Sequence, residues 1–136
     1  MIEVLRASHP QQRQHWEELV AGSPCPDVYY RPGYLVAYET TEPVQALALV
    51  VELEGVRALV PLLVRDLGRV GGLPVREGKD AYSPYGYGGV LWLSPSPRGK
   101  GAEALVEEVR DWARASGSPA ACCVSIRCSR RWRVSR

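Results

Sequence analysis

The chain is short of the groups from which simple catalytic sites are built. It has two histidines, His9 and His15, both on polar sequence around the first expected helix, and no Ser/His/Asp or Cys/His arrangement follows from their spacing. Both are read as solvated surface groups. Four cysteines, Cys25, Cys122, Cys123 and Cys128, contain no C-x2-C spacing, and adjacent Cys122 and Cys123 cannot easily face one ion, so no metal site is expected. No run approaches the ~20 apolar residues of a membrane span. The opening MIEVLRASHPQQRQHW lacks the apolar region of a signal peptide, which makes the cytoplasm the expected compartment.

Acidic residues are missing from the last sixteen positions, 121–136, which hold five arginines and three of the four cysteines with no periodicity. Residues 1–120 balance at −3, so the net charge of +2 belongs to this tail and not to a binding face. A nucleic-acid module is disfavoured for the same reason, because the tail has a single aromatic, Trp132, and the body carries no basic stripe. Lysine is scarce too, with two against fifteen arginines, as in a GC-rich coding sequence. With G or C at third codon positions, residues 123–129 read two bases out of register as Arg-Leu-Asp-Pro-Leu-Leu or Arg-Leu-His-Pro-Leu-Leu. The frame continues Ala-Ala-Leu-Ala-Gly-Leu-Ala, which has the character of ordinary protein. The expectation is a frameshift near residues 116–121, with 119–136 an aberrant tail and the front part of a longer protein preceding it; a native disordered basic tail is the alternative.

What is present suits one domain. The 46% hydrophobic and 24% charged fractions are ordinary globular values, and 136 residues suffice for a real core. Residues 2–6 alternate like a strand. Ser8 and Gln11 fit a capping box, with Pro10 in the first turn and Trp16, Leu19 and Val20 on the apolar face of a helix over 10–21. Pro32 opens a shorter helix with Tyr34, Leu35 and Tyr38 on one side. Residues 44–53 and 56–65 flank Glu54-Gly55 as a hairpin, apolar enough to be buried on both faces. A Gly-rich connection over 66–79, a strand over 88–93, a loop over 94–99 and a helix bearing Leu105, Val109 and Trp112 follow, with Gly117 as its stop, and a last strand closes the expected order strand, helix, helix, hairpin, strands, helix, strand.

Two segments could carry recognition. In Asp80-Ala-Tyr-Ser-Pro-Tyr-Gly-Tyr-Gly-Gly-Val-Leu91, glycine lets a ligand approach the backbone while tyrosine offers a flat face and a hydroxyl. The competing reading is an irregular strand whose tyrosines fill gaps between layers. In Asp27-Val-Tyr-Tyr-Arg-Pro-Gly-Tyr34, a helix start and Arg31 could receive an anion, or the tyrosines could simply anchor the helix to the sheet.

The order of elements, Val-Tyr-Tyr-Arg-Pro-Gly-Tyr-Leu, the hairpin end Val60-Pro-Leu-Leu-Val-Arg65 and Tyr82-Ser-Pro-Tyr-Gly-Tyr-Gly-Gly89 together resemble the N-terminal half of the FemAB-like aminoacyltransferases, within the acyltransferase superfamily of GNAT fold. The resemblance covers residues 1–118, and family members have an Arg-Phe-His-Pro-like strand where the shifted frame reads Arg-Leu-Asp/His-Pro. It implies a GNAT-like α/β or α+β fold, a mixed and largely antiparallel sheet flanked by helices. It also implies a transferase that moves an acyl or aminoacyl group, from aminoacyl-tRNA or acyl-CoA, to an amine on a peptidoglycan precursor. Arg31, Tyr34, Tyr82, Ser83, Tyr85 and Tyr87 would line the acceptor site. The donor-binding and catalytic part would lie in a missing C-terminal half, leaving the isolated chain inactive.

A rival reading takes Arg98-Gly-Lys-Gly-Ala102 as similar to the acyl-CoA loop of GNAT N-acetyltransferases. Arg98, Gly99 and Gly101 would then bind pyrophosphate at a helix N-terminus, although Glu103 stands where a small residue belongs. A non-catalytic binding module is the third alternative.

Overall fold

The computed structural model describes residues 1–70, 73–74, 78–84, 89–94, 100–117 and 120–122. In chain order these form β1 (Ile2–Arg6), α1 (Pro10–Ala21), a 3-10 turn (Val28–Tyr30), α2 (Pro32–Thr41), β2 (Gln45–Leu53), β3 (Val56–Asp66), the short β4 (Arg69–Val70) and β5 (Leu73–Pro74), β6 (Lys79–Tyr82), β7 (Leu91–Trp92), α3 (Lys100–Ala115) and β8 (Ala120–Cys122). The fold is α+β. A mixed, largely antiparallel sheet runs β1-β2-β3-β6-β8, β7 also pairs with β3, and among the described residues the single parallel pair is β6 with β8. The order strand, helix, helix, hairpin, strands, helix, strand is the one expected from the sequence.

The sheet sorts its side chains by parity. On one face Leu5, Ala46, Ala48, Val50, Leu59, Leu63 and Leu91 pack under Trp16 and Val20 of α1 and Leu35 of α2. On the other, Leu49, Val51, Ala58, Val60 and Leu62 pack under Leu105 and Val109 of α3, with Trp112 beside them. Because helices cover both faces, β2 and β3 can be apolar without interruption, and residues 46–51 and 58–64 are buried throughout. Trp16 is fully buried, and its indole Nε1 donates to the Tyr30 carbonyl at 2.8 Å, which ties α1 to the start of α2.

The hairpin turns at Glu54-Gly55, where φ is 50° and 77°. Two positive φ values are what a two-residue loop of the I′ kind demands, and Gly55 supplies one without strain. Gly117, at φ 78°, ends α3 as expected.

The sequence reading fails at the start of α1. The N-cap is His9, with no side-chain cap, so Ser8 and Gln11 form no capping box. Instead Gln12 Oε1 accepts from the Arg6 N–H at 2.9 Å, satisfying the end of β1 before the helix begins. The strand expected over 88–93 pairs only at Leu91–Trp92, and residue 88 lies outside the described residues. In the 66–79 connection, β4 and β5 make a small two-stranded sheet of their own. β8 carries the sheet past residue 118 to Cys122, alongside Asp80, Ala81 and Tyr82; residues 123–136 lie outside the described part.

β3 contains a proline at its centre, and the hydrogen-bond directions explain why it is tolerated. The Ala46 carbonyl accepts from Ala7 and the Glu52 N–H donates to the Met1 carbonyl, so even residues of β2 address β1 and odd ones address β3. Through the register Leu49↔Val60 and Ala48↔Pro61, even residues of β3 address β2 and odd ones face away from it. The Leu93 and Ser94 N–H groups donating to the Arg57 carbonyl agree. Pro61 thus turns its donor-less nitrogen toward the interval between β6, which pairs with Leu63 to Asp66, and β7, which pairs with Ala58 and Leu59.

Candidate functional site

Tyr30, Tyr34, Tyr38 and Tyr82 gather on the α1/α2 face. Asp27 accepts the Tyr29 N–H at 3.1 Å and fixes the 3-10 turn, after which Pro32 opens α2. Tyr29 meets Tyr34 edge-on with ring centres 5.2 Å apart, and Tyr34 meets Tyr38 at 5.7 Å with their hydroxyls 3.1 Å apart. Tyr34, Tyr38 and Glu42 follow at four-residue spacing, so the row runs along α2 to its C-cap. There Glu42 reaches the sheet: the Tyr82 hydroxyl donates to Glu42 Oε2 at 3.0 Å.

Tyr82 is the hub of a polar group at the end of this face. The Arg65 guanidinium lies 5.3 Å from its ring centre, and Arg65 Nη2 donates to Asp80 Oδ2 at 2.8 Å, with Nε at 3.1 Å. The pairing Arg65↔Asp80 and Leu63↔Tyr82 across β3 and β6 is what sets a cation against both the carboxylate and the ring. Beside it opens a recess of about 260 Å³ bordered by Pro43, Gln45, Arg65, Asp66 and Lys79. Burial, then the hydrogen bond to Glu42, raises the Tyr82 phenol above its ordinary 10.0, although Arg65 pulls the other way. The phenol is consequently neutral at physiological pH, a donor and not a base. Tyr34 is raised to about 12, chiefly by its hydrogen bond with Tyr38.

The structure brings together some of the expected residues. Tyr34 and Tyr82 pack against the same core. Arg31 caps α2 but is committed to an ion pair with Glu17 of α1, so an incoming anion competes with that carboxylate. Ser83 is half-buried just past the end of β6. Tyr85 and Tyr87 lie outside the described residues, as do Arg98 and Gly99 of the rival loop. Gly101 sits in the first turn of α3 with Glu103, whose exposed carboxylate already occupies the electropositive end of the helix. His9 is exposed, and His15 Nε2 lies 3.8 Å from Glu3 at the surface.

Glu42, Arg65 and Asp80 were not singled out by sequence. Asp80 and Tyr82 share a face because they are two apart on a strand, a signal that was there to read. Glu42 gave none, since it meets Tyr82 from forty residues away. No protein-family model, curated protein or solved structure matches the chain.

Proposed function

We propose that residues 1–118 form the acceptor-binding unit of an enzyme that transfers an acyl or aminoacyl group to an amine, with a peptidoglycan precursor as the acceptor. The observation that carries this reading is the arrangement at Tyr82. A neutral phenol anchored by Glu42 and backed by Arg65 stands at the start of the Tyr-Ser-Pro-Tyr-Gly-Tyr-Gly-Gly segment, where the strand leaves β3 and next to the parallel pairing of β6 with β8. The order of elements and the crossover through α3 to β8 support the FemAB-like, GNAT-type resemblance.

In such a reaction the amine nitrogen attacks the carbonyl carbon, the bond to the tRNA ribose oxygen or the CoA sulfur breaks, and the amine gives up a proton. The protein's share is placement of the reactants and stabilisation of the carbonyl oxygen. Arg31, Tyr34, Tyr82, Ser83, Tyr85 and Tyr87 would line the acceptor side, Tyr82 holding its hydroxyl in a fixed direction. A second acyltransferase unit would supply the donor side, and the cytoplasm is where the donors named are found. Placement accounts for about 7 to 11 kcal/mol of barrier lowering in well-oriented reactions, so residues 1–136 alone are expected to give little transfer.

The nucleotide sequence across codons 115–136 and beyond tests the second unit, which requires an open shifted frame of about a domain's length. With that frame restored, transfer from charged tRNA and from acetyl-CoA is to be measured for three variants. Tyr85→Ala and Tyr87→Ala should reduce acceptor use and Arg98→Ala should matter little. The reverse pattern would move the site to the CoA-type loop, and binding without transfer in the restored protein would leave a non-catalytic module.

A further inference from the structure

β1 lies at an edge of the sheet, and its backbone bonds show which groups that edge leaves open. The Met1 carbonyl accepts from the Glu52 N–H and the Ala7 N–H donates to the Ala46 carbonyl, so odd residues of β1 address β2 and even ones turn their N–H and C=O groups outward. At Arg6 both outward groups are taken, the N–H by Gln12 Oε1 and the carbonyl by the His9 N–H. Those of Ile2 and Val4 meet no partner among the described residues. The open edge is therefore a short ladder with one closed end.

The side chains along it differ by face. Ile2 and Val4 are half-buried against the cluster under α3, whereas Glu3 is exposed on the α1 side, where its one ionic contact among the described residues is with His15 at 3.8 Å. Alternating donors and acceptors of this kind are answered by another extended backbone. An antiparallel strand with residues opposite Val4, Glu3 and Ile2 makes two bonds with Val4 and two with Ile2, and its middle residue comes closest, about 4.5 Å between Cα atoms, at Glu3. A second copy of β1 in that register sets Glu3 of one copy against Glu3 of the other, like charges directly opposite. Sliding the copies along each other either needs the Arg6 groups or leaves Val4 unanswered. We propose that the β1 edge is a docking site for an extended peptide segment of apolar-basic-apolar pattern, the basic side chain beside Glu3 and the apolar ones continuing the α3-side face past Ile2 and Val4. So short a ladder, less the ordering of a flexible peptide, puts Kd at about the millimolar level. The site is independent of the transfer reaction proposed above.

The test is amide NMR of the whole chain, first diluted alone and then titrated at low salt with three peptides blocked at both ends. These are Thr-Val-Lys-Val-Thr, Thr-Val-Glu-Val-Thr, and Thr-Pro-Lys-Pro-Thr, which keeps the charge but lacks the ladder N–H groups. Saturable downfield shifts of the Ile2 and Val4 amides are expected with the first, binding weaker by up to about fivefold with the second, and none with the third. Glu3→Lys should reverse the preference between the first two, and it spares the bonds to β2 because those are backbone bonds. No saturation at Val4, equal binding of the proline peptide, or an unchanged preference in Glu3→Lys would each overturn the proposal. Dilution-dependent shifts of Ile2 and Val4 in the chain alone would overturn it in favour of a second copy.

Discussion

Along β3, every residue from Val56 to Val64 has a partner in β2, whereas on its other side the ladder partners among the described residues lie at Ala58 and Leu59 and again from Leu63 to Asp66. The continuous side is the mechanical centre of the domain: apolar, covered on both faces, and free of ionisable groups from Ala58 to Val64. The interrupted side carries Tyr82, Arg65 and Asp80 and leads into the Tyr/Gly segment. Stability and recognition are thus divided across one strand, and the division follows which way each backbone nitrogen points.

Proline scanning breaks the comparison most sharply. Val60 addresses β2, so Val60→Pro removes a ladder donor, leaves the Leu49 carbonyl unsatisfied and should cost about 3 kcal/mol or more, read as a large fall in the midpoint of the urea transition. The native proline one position on shows the other side of the rule. Pro61→Val frees the unfolded chain and adds an N–H aimed at the interval, so a loss of about 1 kcal/mol is expected in the same measurement. A gain in stability would mean that the interval holds an acceptor.

Arg65→Gln, on the interrupted side, removes an exposed ion pair and the contact with the Tyr82 ring. It should shift the transition by less than about 1 kcal/mol and leave the amide exchange of β2 untouched. A larger effect would show that the two sides are coupled. A separate test is in alkali. Tyr34 titrates near 12 when folded but near 10.0 when unfolded, so the unfolded chain loses its proton first and stability falls as pH rises from about 10 to 12, with none of this loss below 10. Phenolate absorbance near 295 nm should show at least one late-titrating tyrosine that becomes ordinary in Tyr38→Phe.

Those same directions explain what could be read from the chain without a structure. The nearly continuous apolar runs around Glu54-Gly55 and the face of Leu105, Val109 and Trp112 are local signals, and the elements they predict are present. The start of α1 departs from its local pattern, having no side-chain cap, while Gln12 serves β1 in a tertiary contact. The closing strand belongs to the expected order, but its position at Ala120–Cys122 carries no local signal, since three residues are too few for periodicity. Tyr34 and Tyr82 were visible as residue types. Their linkage through Glu42 was not, because it depends on where α2 lies over the sheet.

Pro61 also bears on the interval of synthesis before the domain is complete. A hairpin closed by two residues forms in about 1 to 10 μs, while β6 must wait for the connection after Asp66 and β8 for the whole of α3. Between those events the far edge of β3 is an open row of hydrogen-bonding groups on a Leu/Val-rich strand, the kind of template on which chains aggregate. A proline whose missing donor lies on that very edge denies a foreign strand its central bond, so the residue that looks like a flaw in the sheet acts as a gatekeeper during synthesis.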